Sequence, residues 1–162
     1  PGPGVGGHCI AVDPWFLISQ NKKLAKIIYT ARKINDYKSK WVVKNIYKKL
    51  NKIKLKKKIS KKILISFFGI TYKADSDDLR ESPSIEIIKH FKAKKNITTL
   101  IVEPNLKHKK FLNLDIVDVD TAIKKSNLVI ILVNHKKFKN KKIIKRLKNK
   151  ETLDISGLLI NR

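Results

Sequence analysis

The sequence predicts an α/β chain, with a long N-terminal helical segment followed by a parallel-sheet domain. Three observations carry this. Apolar residues recur at helical spacing from Leu24 to Ile53, short apolar runs alternate with amphipathic stretches from Ile63 onward, and Gly, Pro, Asp and Asn punctuate the junctions. The 162 residues suffice for one ordinary domain with an appended helix, and 42% apolar content supplies a core. The change of period divides the chain into segments 1–56 and 57–162.

Residues 1–13 read as a Gly/Pro loop. Asp13-Pro14 is the expected helix start, because Asp caps free N–H groups and Pro is at home in the first helical position. The helix then runs through Leu24, Ile27, Ile28, Ala31, Ile34, Val42, Ile46, Leu50 and Ile53, with candidate breaks at Gln20-Asn21 and Asn35-Asp36. The run "KIKLKKKISKK" (52–62) has little apolar face and reads as a solvated linker or exposed helix end. "ILISFF" is a buried strand ending at Gly69, and Ser82-Pro83 opens a helix through Ile85, Ile87, Ile88 and Phe91. "TTLIVE", "IVDVD", "LVIILV" and "TLDI" supply the further strands. Asp120 is the expected cap of a short helix "TAIKKS", and a Lys-rich helix through Ile143, Ile144 and Leu147 precedes the last strand. Strands alternating with helices at this spacing imply a parallel sheet covered on both faces.

A net charge of +25 raises the question of nucleic acid. Only Arg32, Arg80, Arg146 and Arg162 are arginines; the remaining cations are lysines spread along the whole chain. Base- and phosphate-reading surfaces favour the planar guanidinium fork, so the charge reads as solvated faces, with only nonspecific attraction to polyanions expected. No apolar run approaches the roughly 20 residues of a membrane span, and the N-terminus lacks a signal-peptide pattern. A single Cys forms no internal disulfide, which fits a cytoplasmic setting. The chain has no Met and starts at Pro1, so either an initiator was removed or this is the C-terminal piece of something longer.

Two stretches carry candidate chemistry. "PGPGVGGHCIAVDP" places Gly2, Gly4, Gly6 and Gly7 just before the only Cys, Cys9. It is not a dinucleotide fingerprint, because no strand feeds it. Helix N-termini and nearby cations activate thiols, which makes Cys9 a candidate thiolate nucleophile; inert small filler is the alternative. Asp13 is either a plain N-cap or a catalytic carboxylate. "FGITYKADSDDLRESPS" (68–84) follows the first strand, where open parallel sheets bind ligands. Lys73, Arg80 and the helix start at Ser82-Pro83-Ser84 compose a phosphate site; alternatively Arg80 pairs with Asp75, Asp77 or Asp78. His8, His90, His108 and His135 lack metal-ligand spacing, so no metal is expected. His135 follows "LVIILVN" and either lines the same cleft or serves structure. Trp15 and Trp41 read as core or interface.

Together these motifs resemble the UDP-glucose/GDP-mannose dehydrogenase family. "GGHCIAVDP" is similar to its catalytic-Cys loop, "ARKIND" to the helix after it, "FGITYKADSDDLRESPS" to the opening of its C-terminal nucleotide-sugar domain, and "SNLVIILVNHKKFK" to a later strand. His8 before the Cys and Val12 before the Asp resemble the branch that oxidises UDP-N-acetyl-D-mannosamine for bacterial surface polysaccharide such as enterobacterial common antigen. The resemblance implies a Rossmann-like UDP-binding domain over 57–162, and a catalytic-Cys loop with a dimerising helix over 1–56. It further implies a UDP-sugar substrate and NAD as cofactor. Cys9 matches the nucleophile that passes through a thiohemiacetal and a thioester, and Asp13 the carboxylate that assists. Gly4, Gly6, Gly7, His8, Tyr72 and Lys73 match substrate-binding positions, and Arg80 matches a cofactor contact. The family's NAD-binding domain has no counterpart here, so a separate NAD-binding domain is the implied partner, together with a second copy of the chain. At "TLDISGLL", Ile155 and Ser156 replace a nucleotide-touching Arg. The alternative is a noncatalytic remnant that binds UDP-sugars or dimerises.

Overall fold

A computed structural model describes residues 2–57 and 62–160. Helix α1 spans Cys9–Gln20 and α2 spans Lys26–Lys57. The expected start at Asp13 is corrected: the chain is already helical at Cys9, His8 occupies the N-cap position without a side-chain cap bond, and Pro14 lies inside. Proline's fixed φ is itself helical, so Pro14 forfeits one bond, to the Ile10 carbonyl, without ending an exposed helix. The break falls after Gln20, where Asn21 turns extended and its Oδ1 accepts the Leu24 N–H at 3.2 Å. None occurs at Asn35-Asp36, because the Asn35 amide is engaged outside its own helix, as shown below. Most of the expected linker 52–62 is helix or lies outside the described residues, and Ile53 within it is buried.

Strands β1 (Ile63–Phe68), β2 (Ile97–Val102), β5 (Leu128–Ile131) and β6 (Thr152–Asp154) form one parallel sheet in the order β2-β1-β5-β6. Between β2 and β5 the chain makes a small hairpin, β3 (Lys110–Phe111) with β4 (Leu114–Asp115). Leu112 and Asn113, at φ 53° and 57°, make its tight turn. The expected strand "IVDVD" is corrected to a single bridge between Ile116 and Ile101, because Asp118 leaves the sheet to cap the next helix. That helix, α4 (Val119–Lys125), has its Thr121 N–H bonded to Asp118 Oδ1 at 2.8 Å; Asp118, not Asp120, is the cap.

Side chains alternate across each strand. Ile63, Ile65, Phe67, Leu128 and Ile130 face α2 and α3 (Pro83–Lys92), meeting Val42, Ile46, Leu50, Ile87, Ile88 and Phe91. Phe68, Val129 and Ile131 face α4 and α5 (Lys141–Lys148), meeting Ala122, Leu147 and, from the short 3-10 turn before α5, Phe138. The C-terminal half of α2 therefore covers one face of the sheet. Its N-terminal half leaves Ile27 85% and Ile34 64% exposed, along with Tyr37 and Trp41.

After β1 the chain crosses by α3 to β2 on one side, then by α4 to β5 on the other side of β1. This reversal leaves a crevice beyond the carboxyl ends of β1 and β5, the place where open α/β sheets take ligands.

Candidate functional site at the sheet's switch point

The two motif loops are seated on each other. A Cβ at Gly6 would lie 2.2 Å from the Glu81 carbonyl oxygen and 2.9 Å from Pro83 Cδ, and one at Gly7 would lie 2.9 Å from the Tyr72 ring. Gly7 also has φ +95° and donates its N–H to the Arg80 carbonyl at 3.1 Å. No other residue type fits either position. From α2, Asn35 Oδ1 accepts the Val5 N–H at 2.7 Å and its Nδ2 donates to the Val5 carbonyl at 3.0 Å. The side-chain amide thus pairs with the loop as a neighbouring strand would.

This seating delivers Cys9 to the first residue of α1, solvent-exposed, with its Sγ 3.6 Å from His8 Nδ1. The first N–H groups of a helix have no partner within it, so the thiol sits where negative charge is favoured. Asp13 is exposed one turn further on, on the same side of α1.

Across the contact, the Tyr72 N–H donates to the Asp78 carbonyl at 3.1 Å and closes the 72–78 loop. The exposed Lys73 ammonium stands 5.4 Å from the Tyr72 ring centroid. Arg80 is paired with Asp78, its Nε 3.0 Å from Oδ1 and its Nη2 2.7 Å from Oδ2. The hydrogen bonds from the Arg80 side chain, then from its backbone N–H, hold the Asp78 carboxyl down at about 2. Asp78 in turn raises Arg80, chiefly through the same side-chain hydrogen bonds.

Beyond the strand ends lies a cavity of about 250 Å³ lined by Gly4, Tyr72, Lys73, Ser84, Asn134 and Ser156, among others. Ser84, fully buried in the first turn of α3, has an unpartnered Oγ, and Asn134 has an unpartnered Oδ1. Among the described residues Arg32 Nε and Thr99 Oγ1 are likewise unpartnered away from this cavity, so the two at its edge are half of the buried polar atoms that lack a partner. Asp154 shapes its far edge, since its carboxylate accepts N–H groups of Ser156, Gly157 and Leu159.

Sequence comparison coincides with this geometry. The UDP binding domain of the UDP-glucose/GDP-mannose dehydrogenase family matches residues 66–161, and its central domain matches residues 1–37. The chain belongs to that family. Among curated members, it is 43% identical over 143 residues to the UDP-N-acetyl-D-mannosamine dehydrogenase of Yersinia pestis, covering 86% of this chain and 34% of that one. It is 38% identical over 160 residues to the NDP-N-acetyl-D-galactosaminuronic acid dehydrogenase of Ralstonia solanacearum, covering 98% of this chain and 36% of that one. Among solved structures, the UDP-N-acetyl-mannosamine dehydrogenase of Staphylococcus aureus superposes on all of this chain and 37% of its own, at TM-score 0.73 and 32% identity. The chain spans about a third of the length of these dehydrogenases.

Of the residues singled out from the family resemblance, the structure brings Gly4, Gly6, Gly7, His8, Cys9, Tyr72, Lys73 and Arg80 to one junction, with Asp13 a turn away. The helix start at Ser82-Pro83-Ser84 was singled out from the sequence and its Ser84 lines the cavity, whereas sequence reasoning missed Asn35, whose signal was a poor helix former in mid-helix, and the place of Asn134 in the cavity lining. Among the described residues no His, Cys, Asp and Glu side chains cluster as metal ligands, and no helix is long and apolar enough to cross a membrane. The three described arginines, Arg32, Arg80 and Arg146, each face a carboxylate.

The Asp78–Arg80 pair gives a titration test. Because the folded carboxyl sits below its ordinary value of 3.8, the stability it contributes is present above that value and lost as pH falls toward about 2. NMR titration is expected to place the Asp78 midpoint near 2, and Arg80→Ala to raise it part of the way to the ordinary range, because the backbone N–H at position 80 still bonds Oδ1. An unchanged midpoint in the variant would contradict the pairing.

Proposed function

We propose that this chain is the central-helix and UDP-sugar-binding portion of an NAD-dependent UDP-N-acetyl-D-mannosamine 6-dehydrogenase, working in the cytoplasm. The division is into 1–56, the Cys loop and dimerising helix, and 57–162, the nucleotide-sugar domain. The observation that carries the reading is the switch-point cavity, where Lys73, the α3 N-terminus and two orphaned polar atoms meet. A diphosphate suits the cation and the helix terminus, while the base and sugar edges suit Ser84 and Asn134. Gly4 and His8 wall the sugar side and Tyr72 packs beside it, while Gly6 and Gly7, expected to touch the substrate, are closed off by Glu81, Pro83 and Tyr72 and seat the loop instead.

The described residues hold no dinucleotide cradle. The glycine segment leads into α1 and α2 rather than into a helix that returns to a neighbouring parallel strand, and the loop after β1 lacks a glycine-rich turn. Arg80 is the one group here proposed to touch NAD, which a separate domain would chiefly hold and which would supply the hydride acceptor for both oxidations. This chain's own chemistry is nucleophilic. The Cys9 sulfur adds to C6 of the sugar aldehyde, forming the C–S bond of a thiohemiacetal. Oxidation of that carbon leaves a thioester. Water attacks its carbonyl while Asp13 takes up one proton, the C–S bond breaks to free the thiolate and a carboxylic acid, and the acid gives its own proton to solvent to leave as the carboxylate.

Calorimetry with UDP tests the site. The chain is expected to bind it, and Lys73→Ala to weaken binding about ten-fold or more. Equal affinity in the variant, or no binding to the wild type, would sink the reading. Mixed with UDP-N-acetylmannosamine and NAD⁺, the chain by itself is expected to form no NADH.

We also infer a homodimer through α2. On α2, Ile27, Ile34, Tyr37 and Trp41 form an exposed apolar stripe at spacings of seven, three and four residues, and exposed Leu24 sits in the turn just before it. That is the pattern of a helix paired with its own copy. Sedimentation should show a dimer that Ile34→Glu turns into a monomer; a wild-type monomer would contradict the pairing.

A further inference from the structure

The loop that carries Tyr72 and Lys73 is held from beneath by groups the proposed reaction does not use. His135, just past β5, is fully buried, and Glu103, just past β2, is 3% exposed. The Asp75 backbone N–H, an obligatory donor, reaches His135 Nδ1 at 3.0 Å, so that nitrogen is the acceptor. The ring hydrogen therefore sits on Nε2, 3.2 Å from Glu103 Oε2. The same Oε2 accepts the Ile70 N–H at 2.8 Å, and Oε1 accepts the Asn105 N–H at 3.1 Å. Asn105 Nδ2 lies 3.0 Å from His135 Nδ1 and 3.3 Å from the Ser76 carbonyl oxygen. Thr71 Oγ1 lies 3.4 Å from Nε2 and donates to the Lys73 carbonyl at 2.8 Å.

The loop is thus gripped at Ile70, Thr71, Asp75 and Ser76, with Lys73 between the grips. Asp75 is held at φ 59°, a left-handed conformation that persists only when its surroundings fix it, and its Oδ1 accepts the Lys136 N–H at 2.8 Å. An apolar side chain would fill the space beside the Phe138 ring, 5.3 Å away between centroids, without burying a carboxylate. It would not supply the directional hold.

We propose that His135, oriented by Glu103, is a positioning residue that fixes the 70–76 loop and so presents the Lys73 ammonium to a nucleotide diphosphate. This rests on the reading of Lys73 as a diphosphate ligand. Hydrogen exchange read by mass spectrometry, with UDP calorimetry, tests it on His135→Phe, which keeps the volume and removes the bonds. Amides of 71–78 are expected to exchange about ten-fold faster, while those of β1 and β5 keep wild-type rates. UDP affinity should fall about ten-fold at temperatures well below the variant's Tm. Faster exchange spread evenly through the sheet, or an unchanged loop, overturns the proposal. So does UDP binding at wild-type strength where Lys73→Ala has lost it, and in that case the assigned diphosphate site survives. If the wild type binds no UDP, the assigned site fails, and with it the claim about Lys73, whereas the exchange pattern still decides whether His135 fixes the loop. Should His135→Phe not fold, Asn105→Ala at the half-exposed rim must show the same local loosening, and its absence overturns the proposal equally.

Discussion

A methyl group at Gly6 would meet the Glu81 carbonyl oxygen at 2.2 Å, and this close approach governs the site. Here the two loops meet so closely that one of them has no room for a side chain. Gly6 and Gly7 supply that bareness, and Glu81, Pro83 and Tyr72 occupy the space it leaves. Asn35 then clips Val5 from the helix side. With the loop seated, α1 begins at Cys9 and presents its sulfur, exposed, at the first turn of the helix. The glycines look at first like a surface offered to a ligand; the structure shows Gly6 and Gly7 filled by the protein's own second loop.

The sheet gives that junction a rigid floor. β1 is flanked on both sides by parallel partners and both its faces are covered, so the loop leaving it starts from a fixed point. α2 joins two functions in one helix. Its later half, through Val42, Ile46 and Leu50, belongs to the core, while its earlier half holds Asn35 against the glycine loop and leaves an apolar stripe outside. A rigid rod pinned at one end to the sheet fixes the other end relative to it, which couples the Cys loop to the nucleotide-sugar domain.

Much of the fold was legible because its signals are local. Buried runs such as "LVIILV" and the Ser82-Pro83 helix start depend on neighbours in sequence, and β5 and α3 lie where they indicate. The misses arise where a distant partner decides. Asp13-Pro14 has a strong local signature for a helix start, yet the contact between Gly7 and Arg80 sets the chain into helix at Cys9. "IVDVD" alternates as a strand should, yet Asp118 is committed to Thr121. At the site, the motif residues could be picked out, but the partners that hold them could not. Glu103 reads as the end of a strand, and its grip on Ile70 and His135 spans sheet positions that only the strand order brings together.

The lone thiol offers the most direct test of the account, because it is the single site for iodoacetamide. Saturating UDP-N-acetylmannosamine is predicted to slow alkylation of Cys9, and Gly6→Val, which pushes the loop off its seat, to remove that protection. Identical labelling rates with and without the nucleotide sugar, in a wild-type chain shown to bind it, would mean that Cys9 and the cavity do not belong to one site.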